Sequence, residues 1–253
     1  MRTDAISELL EQVANRLILP RFRSLTSDQI HEKAPGDLVT IADQEAEVAI
    51  REVLSAAYPT AVIIGEEGVS QDPGELALLA GAEHAWLIDP VDGTRNFTRG
   101  SPDFAVMLAE VREAQTVRAW IWQPIHQRLY VAEQGAGVSR NGRALPARRP
   151  ATHPPIGATY ARERGVSRTV RVIRPAGACG IDYPRLVEGE RDFLHFRALH
   201  PWDHLPGALM VVEMGGRVAT AAGSDYAPGT TGTSLVAACD HQVWETVRRA
   251  LHG

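Results

Sequence analysis

Apolar positions along the chain switch between a helical period and a strand period, and the switches divide it into elements. Ile6, Leu9, Leu10, Val13, Leu17 and Ile18 recur at helical spacing, so an amphipathic helix is expected over residues 4–19, stopped by Pro20. A polar, Gly/Pro-containing stretch follows. It leads into a second helix with Ala46, Ile50, Val53 and Leu54 on its apolar face and Asp43 near its start. Residues 61–64 form a short apolar run bounded by glycine, the pattern of a buried strand, and deliver Glu66 and Glu67 at its end. A helix-like patch near 75–80 separates it from a second strand, which ends in Asp89 and Asp92.

From Phe104 the runs FAVMLAEV, VRAWIW and RLYVAEQ, joined by short polar turns and followed by Asn141-Gly142, predict an antiparallel meander. Residues 143–155 are basic, proline-rich and aperiodic, and read as a solvated linker between two subdomains, 1–145 and 146–253. Mixed elements return after it: a polar helix near 162–169, a strand at VRVIR, a helix over 181–187 and a strand at DFLHF. Asp203 is expected to precede a helix with Leu205, Leu209 and Val212 on its face, Pro206 in its first turn and Gly215-Gly216 as its stop. A strand pair, GRVATAAG and TSLVAAC, and a helix over 242–251 complete the pattern.

Composition narrows the function classes. A net charge of −5 and a pI near 6.0 supply no general attraction to nucleic acid, so a phosphate group would have to be held by a local device. Cys179 and Cys239 lack CxxC spacing, which argues against a zinc site or a disulfide framework. The charged, amphipathic start resembles neither a signal peptide nor a membrane span, and a cytoplasmic location is the expectation.

The chemistry concentrates in residues 86–97, WLIDPVDGTRNF. Asp89 and Asp92 flank Pro90, which is expected to end the strand and turn the chain. Two like charges so close call for a cation between them, and a hard divalent ion held by oxygens is the common answer. The Gly-Thr that follows offers backbone amides for an anion beside it. From this string alone a plain turn is the commoner reading, since Asp-Pro and Asp-Gly are ordinary turn formers. A second strand ending in carboxylates about 20 residues earlier, Glu66 and Glu67, favours the metal reading.

Four segments, DLVTIAD (37–43), GEE (65–67), DPVDGT (89–94) and WDHLPG (202–207), together resemble the inositol monophosphatase family of magnesium-dependent, lithium-sensitive phosphomonoesterases. The likeness runs along nearly the whole chain. It implies an α/β fold of alternating α and β layers in two subdomains, the first carrying most metal ligands and the second carrying Asp203 and the substrate loop. It also implies a homodimer. Two to three Mg²⁺ ions are implied per site: one on Glu66, Asp89 and the carbonyl of Val91, one on Asp89, Asp92 and Asp203, and a weaker one on Glu66 and Glu67 through water. The attacking water would be activated by Thr94 with Asp43 behind it, while Gly93 and Thr94 amides hold the phosphate and no phosphoenzyme forms.

Substrate contacts carried over on the same basis are Gly93, Thr94, Gly177, Cys179, Phe196 and Asp203. The chain departs from the inositol-handling pattern where a glutamate seven residues before Asp203 is replaced by Phe196, which cannot accept hydrogen bonds from substrate hydroxyls. The substrate loop carries Cys179 where the family has alanine, and Lys33 stands one residue off the family's spacing. The resemblance therefore implies a phosphomonoesterase for a small phosphate monoester. Phe196, with Arg197 and His200, suits a planar ligand, which makes a 3′-phosphoadenosine 5′-phosphate or histidinol-phosphate phosphatase the alternative, although each also reads as ordinary packing, for Phe196 equally well. A non-catalytic regulatory member of the same fold is the rival from another class.

Overall fold

A computed structural model describes residues 1–160 and 169–252. All but the last residue of the helix expected near 162–169 lies outside that range. The first helix, α1 (Thr3–Val13), buries Ile6, Leu9, Leu10 and Val13, and its course continues through a wider turn at Ala14–Ile18 into a tight one at Leu19–Arg21. Pro20 thus sits inside the last helical turn rather than beyond it. Strands β1 (Ile30–Ala34) and β2 (Asp37–Thr40) pair as a hairpin that the apolar pattern did not reveal, because β1 is mainly solvated. In α2 (Ile41–Ala57), Ala46, Ile50 and Leu54 form the buried row, four residues apart. Val53, expected on that face, stands on its flank and is 38% exposed.

Next come β3 (Val62–Gly65), α3 (Glu66–Gln71), β4 (His84–Asp92), α4 (Thr94–Thr98), β5 (Ala105–Arg112), β6 (Gln115–Gln123), β7 (Arg128–Glu133), β8 (Gly137–Arg140) and β9 (Arg143–Ala144). The strands form one seven-stranded sheet in sequence order, with β3 and β4 parallel and every later pair antiparallel. The expected meander is its centre, and Asn141-Gly142, both left-handed, turns β8 into β9. Pro90 does not end β4. The ladder to β3 closes at Gly65–Ile88, so no N–H is needed beyond it there. On the other side the register skips from Asp89–Met107 to Asp92–Ala105, placing Pro90 and Val91 in a bulge.

The remaining elements are β10 (Ile156–Thr159), β11 (Arg171–Ile173), α5 (Cys179–Val187), β12 (Phe193–Phe196), α6 (Pro201–Glu213), β13 (Arg217–Thr220), β14 (Leu235–Ala238) and α7 (His241–His252). The second sheet has the order β11-β10-β12-β14-β13. Alternation along β5 sorts the layers: Val106 and Leu108 join the core under α1 and α2, whereas Ala105 and Met107 join the one shared with α5, α6 and the second sheet. On that second sheet α7 packs Val243, Trp244 and Val247. The result is an α/β fold of alternating helical and sheet layers, with α5 and α6 between the two sheets.

Four local expectations on α6 and in the linker need correcting. Asp203 is the third residue of α6, inside its first turn rather than before it, and Pro206 falls in the second turn. Leu205 and Leu209 are buried but Val212 points outward, 54% exposed. In the basic linker Arg143 and Arg149 are solvated, whereas Arg148 turns inward to Asp192 at 2.7 Å. No helix among the described residues is long and apolar enough to cross a membrane.

Candidate active site

Three chain segments converge at the carboxyl end of β4. β3 ends at Gly65 and hands Glu66 to the start of α3; β4 brings Asp89 and, past the bulge, Asp92; α6 contributes Asp203. Carboxylate oxygens of Glu66, Asp89 and Asp203 all lie within 4.8 Å of one another. Asp92 stands beside them with both oxygens held by the first turn of α5, accepting the Cys179 N–H at 3.0 Å and the Gly180 N–H at 2.6 Å. The bulge is what turns Asp92 toward α5.

Such crowding is costly without a counter-charge. Burial, then repulsion from Glu66, Asp92 and Asp203, pushes the Asp89 carboxyl well above its ordinary range. Asp203 is raised by burial and then by Glu66 and Asp92. Asp92 reaches about 7, burial outweighing the two amides that favour its charged form. The cation that touches the group is Lys33, whose Nζ lies 2.7 Å from Glu66 and 3.1 Å from Glu67. Asp89 Oδ1 is buried and has no hydrogen-bond partner. Hard oxygen donors, an orphaned buried oxygen and surplus negative charge are what a divalent cation satisfies, so these residues fit one.

The Glu66–Glu67 turn is held from below. Glu47 on α2 is 3% exposed and accepts the N–H groups of Glu67 and Gly68 at 2.8 and 2.9 Å. Any side chain at position 65 would drive into that carboxylate, which accounts for the glycine.

Across the cavity stands a second pair. Thr94 Oγ1 lies 3.0 Å from Asp43 Oδ1 and 3.0 Å from the Val91 carbonyl. The other oxygen of Asp43 closes the capping box of α2, accepting the Thr40 N–H at 2.9 Å and the Thr40 hydroxyl. Asp43 is thus both a helix cap and a site residue, one oxygen for each. Burial lifts its pKa to about 6 against the hydrogen bonds from Thr40.

Gly93 adopts φ +84°, and a Cβ there would meet Ala178 at 2.8 Å, so the approach of α4 to the 174–177 loop requires glycine. Asn96 ties the two together, donating to the carbonyls of Asp103 and Ala176 at 2.7 and 3.0 Å. Behind the loop, the fully buried Asp182 accepts the Ala176 N–H at 3.0 Å and the Tyr160 hydroxyl at 2.5 Å, and pairs with Arg191.

These groups surround a cavity of about 460 Å³. Glu66, Asp89, Val91, Asp92, Gly93, Thr94, Gly177 and Asp203 line it; Asp43 stands one hydrogen bond behind Thr94. Cys179 and Phe196 do not reach it. Cys179 gives Asp92 its backbone N–H, and its thiol is buried. Phe196 is 3% exposed, with ring centroids of Tyr160 and Tyr183 at 5.2 and 5.3 Å. Arg197 and His200 are exposed and do not line the cavity either, His200 stacking on Trp202. Tyr160, not Phe196, carries the aromatic edge to the cavity. The sequence reading missed Tyr160, Asn96, Arg95, Arg99 and Arg174 as lining residues. Arg95 and Asn96 stand in the same run as Thr94, residues 86–97, which is the one available signal.

The profile of the inositol monophosphatase family matches residues 2–252. An inositol-1-monophosphatase from Rhizobium meliloti is 35% identical over 217 residues, covering 80% of this chain and 79% of that protein. A protein named Nus factor SuhB from Pseudomonas aeruginosa is 33% identical over 228 residues, covering 83% and 82%. Among solved structures, an IMPase/NADP phosphatase complexed with Mg²⁺ and phosphate superimposes with a TM-score of 0.82 over 99% of this chain and 94% of that one, at 23% identity, a likeness of fold.

Proposed function

Because the chain belongs to the inositol monophosphatase family, we propose that it is a Mg²⁺-dependent phosphomonoesterase acting on a small phosphorylated metabolite. The observation that carries this is the buried, under-neutralised carboxylate cluster facing the Thr94–Asp43 hydrogen bond across one cavity. Glu66, Asp89, Asp92, Asp203 and the Val91 carbonyl would hold two to three ions, which when bound polarise the phosphoryl oxygens and make a nearby water acidic. The Mg²⁺ and phosphate in the similarly folded phosphatase support that choice of ion.

The chain's own groups do the rest. With its proton directed at Asp43 Oδ1, the Thr94 hydroxyl keeps lone pairs to accept from a water in the cavity. As that water attacks phosphorus and the ester P–O bond breaks, its proton passes to Thr94 and Thr94's own proton to Asp43, a base whose value of about 6 suits neutral pH. The amides of Gly93 and Thr94 hold phosphate oxygens, and the leaving oxygen takes a proton from solvent. No residue becomes phosphorylated.

Phosphate release from inositol 1-phosphate, 3′-phosphoadenosine 5′-phosphate and histidinol phosphate, with Mg²⁺ and with EDTA, tests the proposal. The expected result is Mg²⁺-dependent turnover of at least one of them, lost in Thr94→Ala and Asp43→Asn. No turnover of any would reject it. Competition by Li⁺, assembly as a homodimer and work in the cytoplasm belong to the same reading. A second reading, a docking protein of the transcription machinery, is favoured by the name of the Pseudomonas relative. A docking role survives Asp89→Asn; hydrolysis does not.

A further inference from the structure

Helix α2 carries two buried carboxylates one turn apart, Asp43 at 1% exposure and Glu47 at 3%, beside the apolar row that holds the helix in the core. Asp43 meets Thr94 and closes the helix cap. Glu47 does not line the cavity and meets none of the reacting groups. Burying a carboxylate is costly unless donors surround it, and the donors that surround Glu47 show what it holds. Two are main-chain amides of a single turn: the Glu67 N–H donates to Oε2 at 2.8 Å and the Gly68 N–H to Oε1 at 2.9 Å. The third is Arg51, one turn further along α2, whose Nε lies 3.1 Å from Oε1 and whose Nη2 lies 2.6 Å from Glu75.

The turn so held is the one that presents Glu66 to the carboxylate cluster. The ladder of β3 to β4 closes at Gly65, so Glu66 is the first residue beyond the sheet, and the next main-chain N–H is the one that Glu47 accepts. Glycine on either side lets the turn lie directly on its support: a Cβ at Gly65 would run into the Glu47 carboxylate, and one at Gly68 into the Arg51 guanidinium. Both oxygens of Glu47 face donors only, the arrangement of an ionised carboxylate. Since Asp43 lies on the same helix, one rigid element carries the general base and anchors the Glu66 turn.

Resting on the metal reading above, we propose that Glu47 is a positioning residue of the cation site: through the amides of Glu67 and Gly68 it fixes where the Glu66 carboxylate stands relative to Asp89 and Asp203, and so sets the affinity for the divalent ion from outside the cavity. Two competing accounts make different predictions. In one, the negative charge of Glu47 attracts the cation through space, whatever the geometry of the turn. In the other, Glu47 stabilises the fold and leaves the cation site as it is. Two substitutions separate charge from geometry. Glu47→Gln keeps the shape but turns an NH₂ group toward one of the amides; Glu47→Asp keeps the charge but is one methylene short of both.

Calorimetric titration of Mg²⁺ into the metal-stripped, substrate-free protein gives Kd for wild type, both Glu47 variants and the control Glu213→Gln. Glu213 makes the same kind of contact away from the cavity, accepting the Gly135 and Gly137 amides at 2.8 Å each. Kd is expected to rise about tenfold or more in both Glu47 variants and to stay unchanged in the control, the size seen when the support of a metal ligand is removed. With Mg²⁺ saturating, kcat should stay within about threefold of wild type, since the loss is one of binding. Wild-type affinity in Glu47→Asp with weakened binding in Glu47→Gln would overturn the proposal in favour of charge. A lowered unfolding temperature with wild-type Kd in both would overturn it in favour of the fold. Glu47→Asp decides alone where Glu47→Gln does not fold; where Glu47→Asp does not, Gly65→Ala, which crowds the same carboxylate and leaves its charge, decides instead. Wild-type protein that takes up no Mg²⁺ would overturn the metal reading and the proposal together. Mg²⁺ uptake without phosphate release would overturn the phosphatase reading alone, and the Kd values would still decide the role of Glu47.

Discussion

Two sets of buried acids in this protein behave oppositely, and the contrast separates structure from site. Glu110 on β5 is 1% exposed and accepts from Arg112 at 2.9 Å and from Arg118; Asp192, equally buried, accepts from Arg148 at 2.7 Å and from the Ile156 N–H at 2.9 Å. In both, burial alone would raise the pKa, and the partners outweigh it, so the carboxyls lie below their ordinary range. At the floor of the cavity Asp89, Asp92 and Asp203 are raised instead, with Lys33 the neighbouring cation and no guanidinium among their partners. An acid that brings its own cation holds the fold together. Asp89, Asp92 and Asp203, which bring none, are the ones a cation from solution would satisfy.

Breaking each kind should therefore damage opposite properties. Asp89→Asn is expected to lower kcat/KM by more than about a hundredfold, since even residues that only support metal ligands are worth about 10–100-fold. In EDTA the same variant should unfold at the wild-type temperature or higher, because a carboxyl whose ionisation the folded state opposes has been replaced by a neutral amide. Activity within tenfold of wild type, or a metal-free protein several degrees less stable, would sink the assignment. Glu110→Ala should do the reverse: urea denaturation is expected to show a loss of about 3–5 kcal/mol, from leaving Arg112 and Arg118 without their carboxylate, while kcat/KM stays within about threefold.

Mg²⁺ sharpens the contrast without any substrate. A cation that binds the folded state stabilises it by about 2.7 kcal/mol at one hundred times its Kd. Thermal unfolding should rise with Mg²⁺ in wild type and in Glu110→Ala and stay flat in Asp89→Asn. A rise of equal size in Asp89→Asn would place the ion elsewhere.

The same distinction explains what the sequence disclosed. Asp89, Asp92 and Thr94 lie in one short run, and Glu66 directly follows the neighbouring parallel strand, so the heart of the site was legible from local spacing. The helices α1, α2 and α7 and the central meander were legible for a similar reason, since each buries a face at its own period. What stayed hidden depends on partners far away in the chain. Asp92 is steered by the amides of Cys179 and Gly180, 87 and 88 residues on, so Cys179 does its work through an N–H that no side chain advertises. Phe196 reads equally as a ligand-facing or a core ring until its neighbours in space, Tyr160 and Tyr183, are known. Pro90 misled because its usual effect on a strand assumes a ladder on both sides, and the ladder to β3 ends two residues earlier.

The smallest expected effect, and the one that opposes the two kinds of acid most directly, is in the pH dependence of stability. Asp92 titrates near 7 in the folded, metal-free protein and near 4 when unfolded, so the folded state holds the extra proton between those values. Stability from this group is fully present below about pH 4 and is lost as pH rises through about 7, and Asp89 and Asp203, raised by the same crowding, act in the same direction. Asp192 is lowered, so its contribution is present above about pH 4 and lost as pH falls through its folded value. Urea midpoints of the EDTA-treated protein between pH 4.5 and 8 should therefore fall with rising pH, each group adding at most about 1.4 kcal/mol per pH unit. Asp89→Asn should make that slope shallower, while Asp192→Asn should leave it alone and shift only the acid limb below pH 4. A slope that is the same in wild type and Asp89→Asn would mean that the floor carboxylates are already neutralised within the protein, and that the two kinds of buried acid are one.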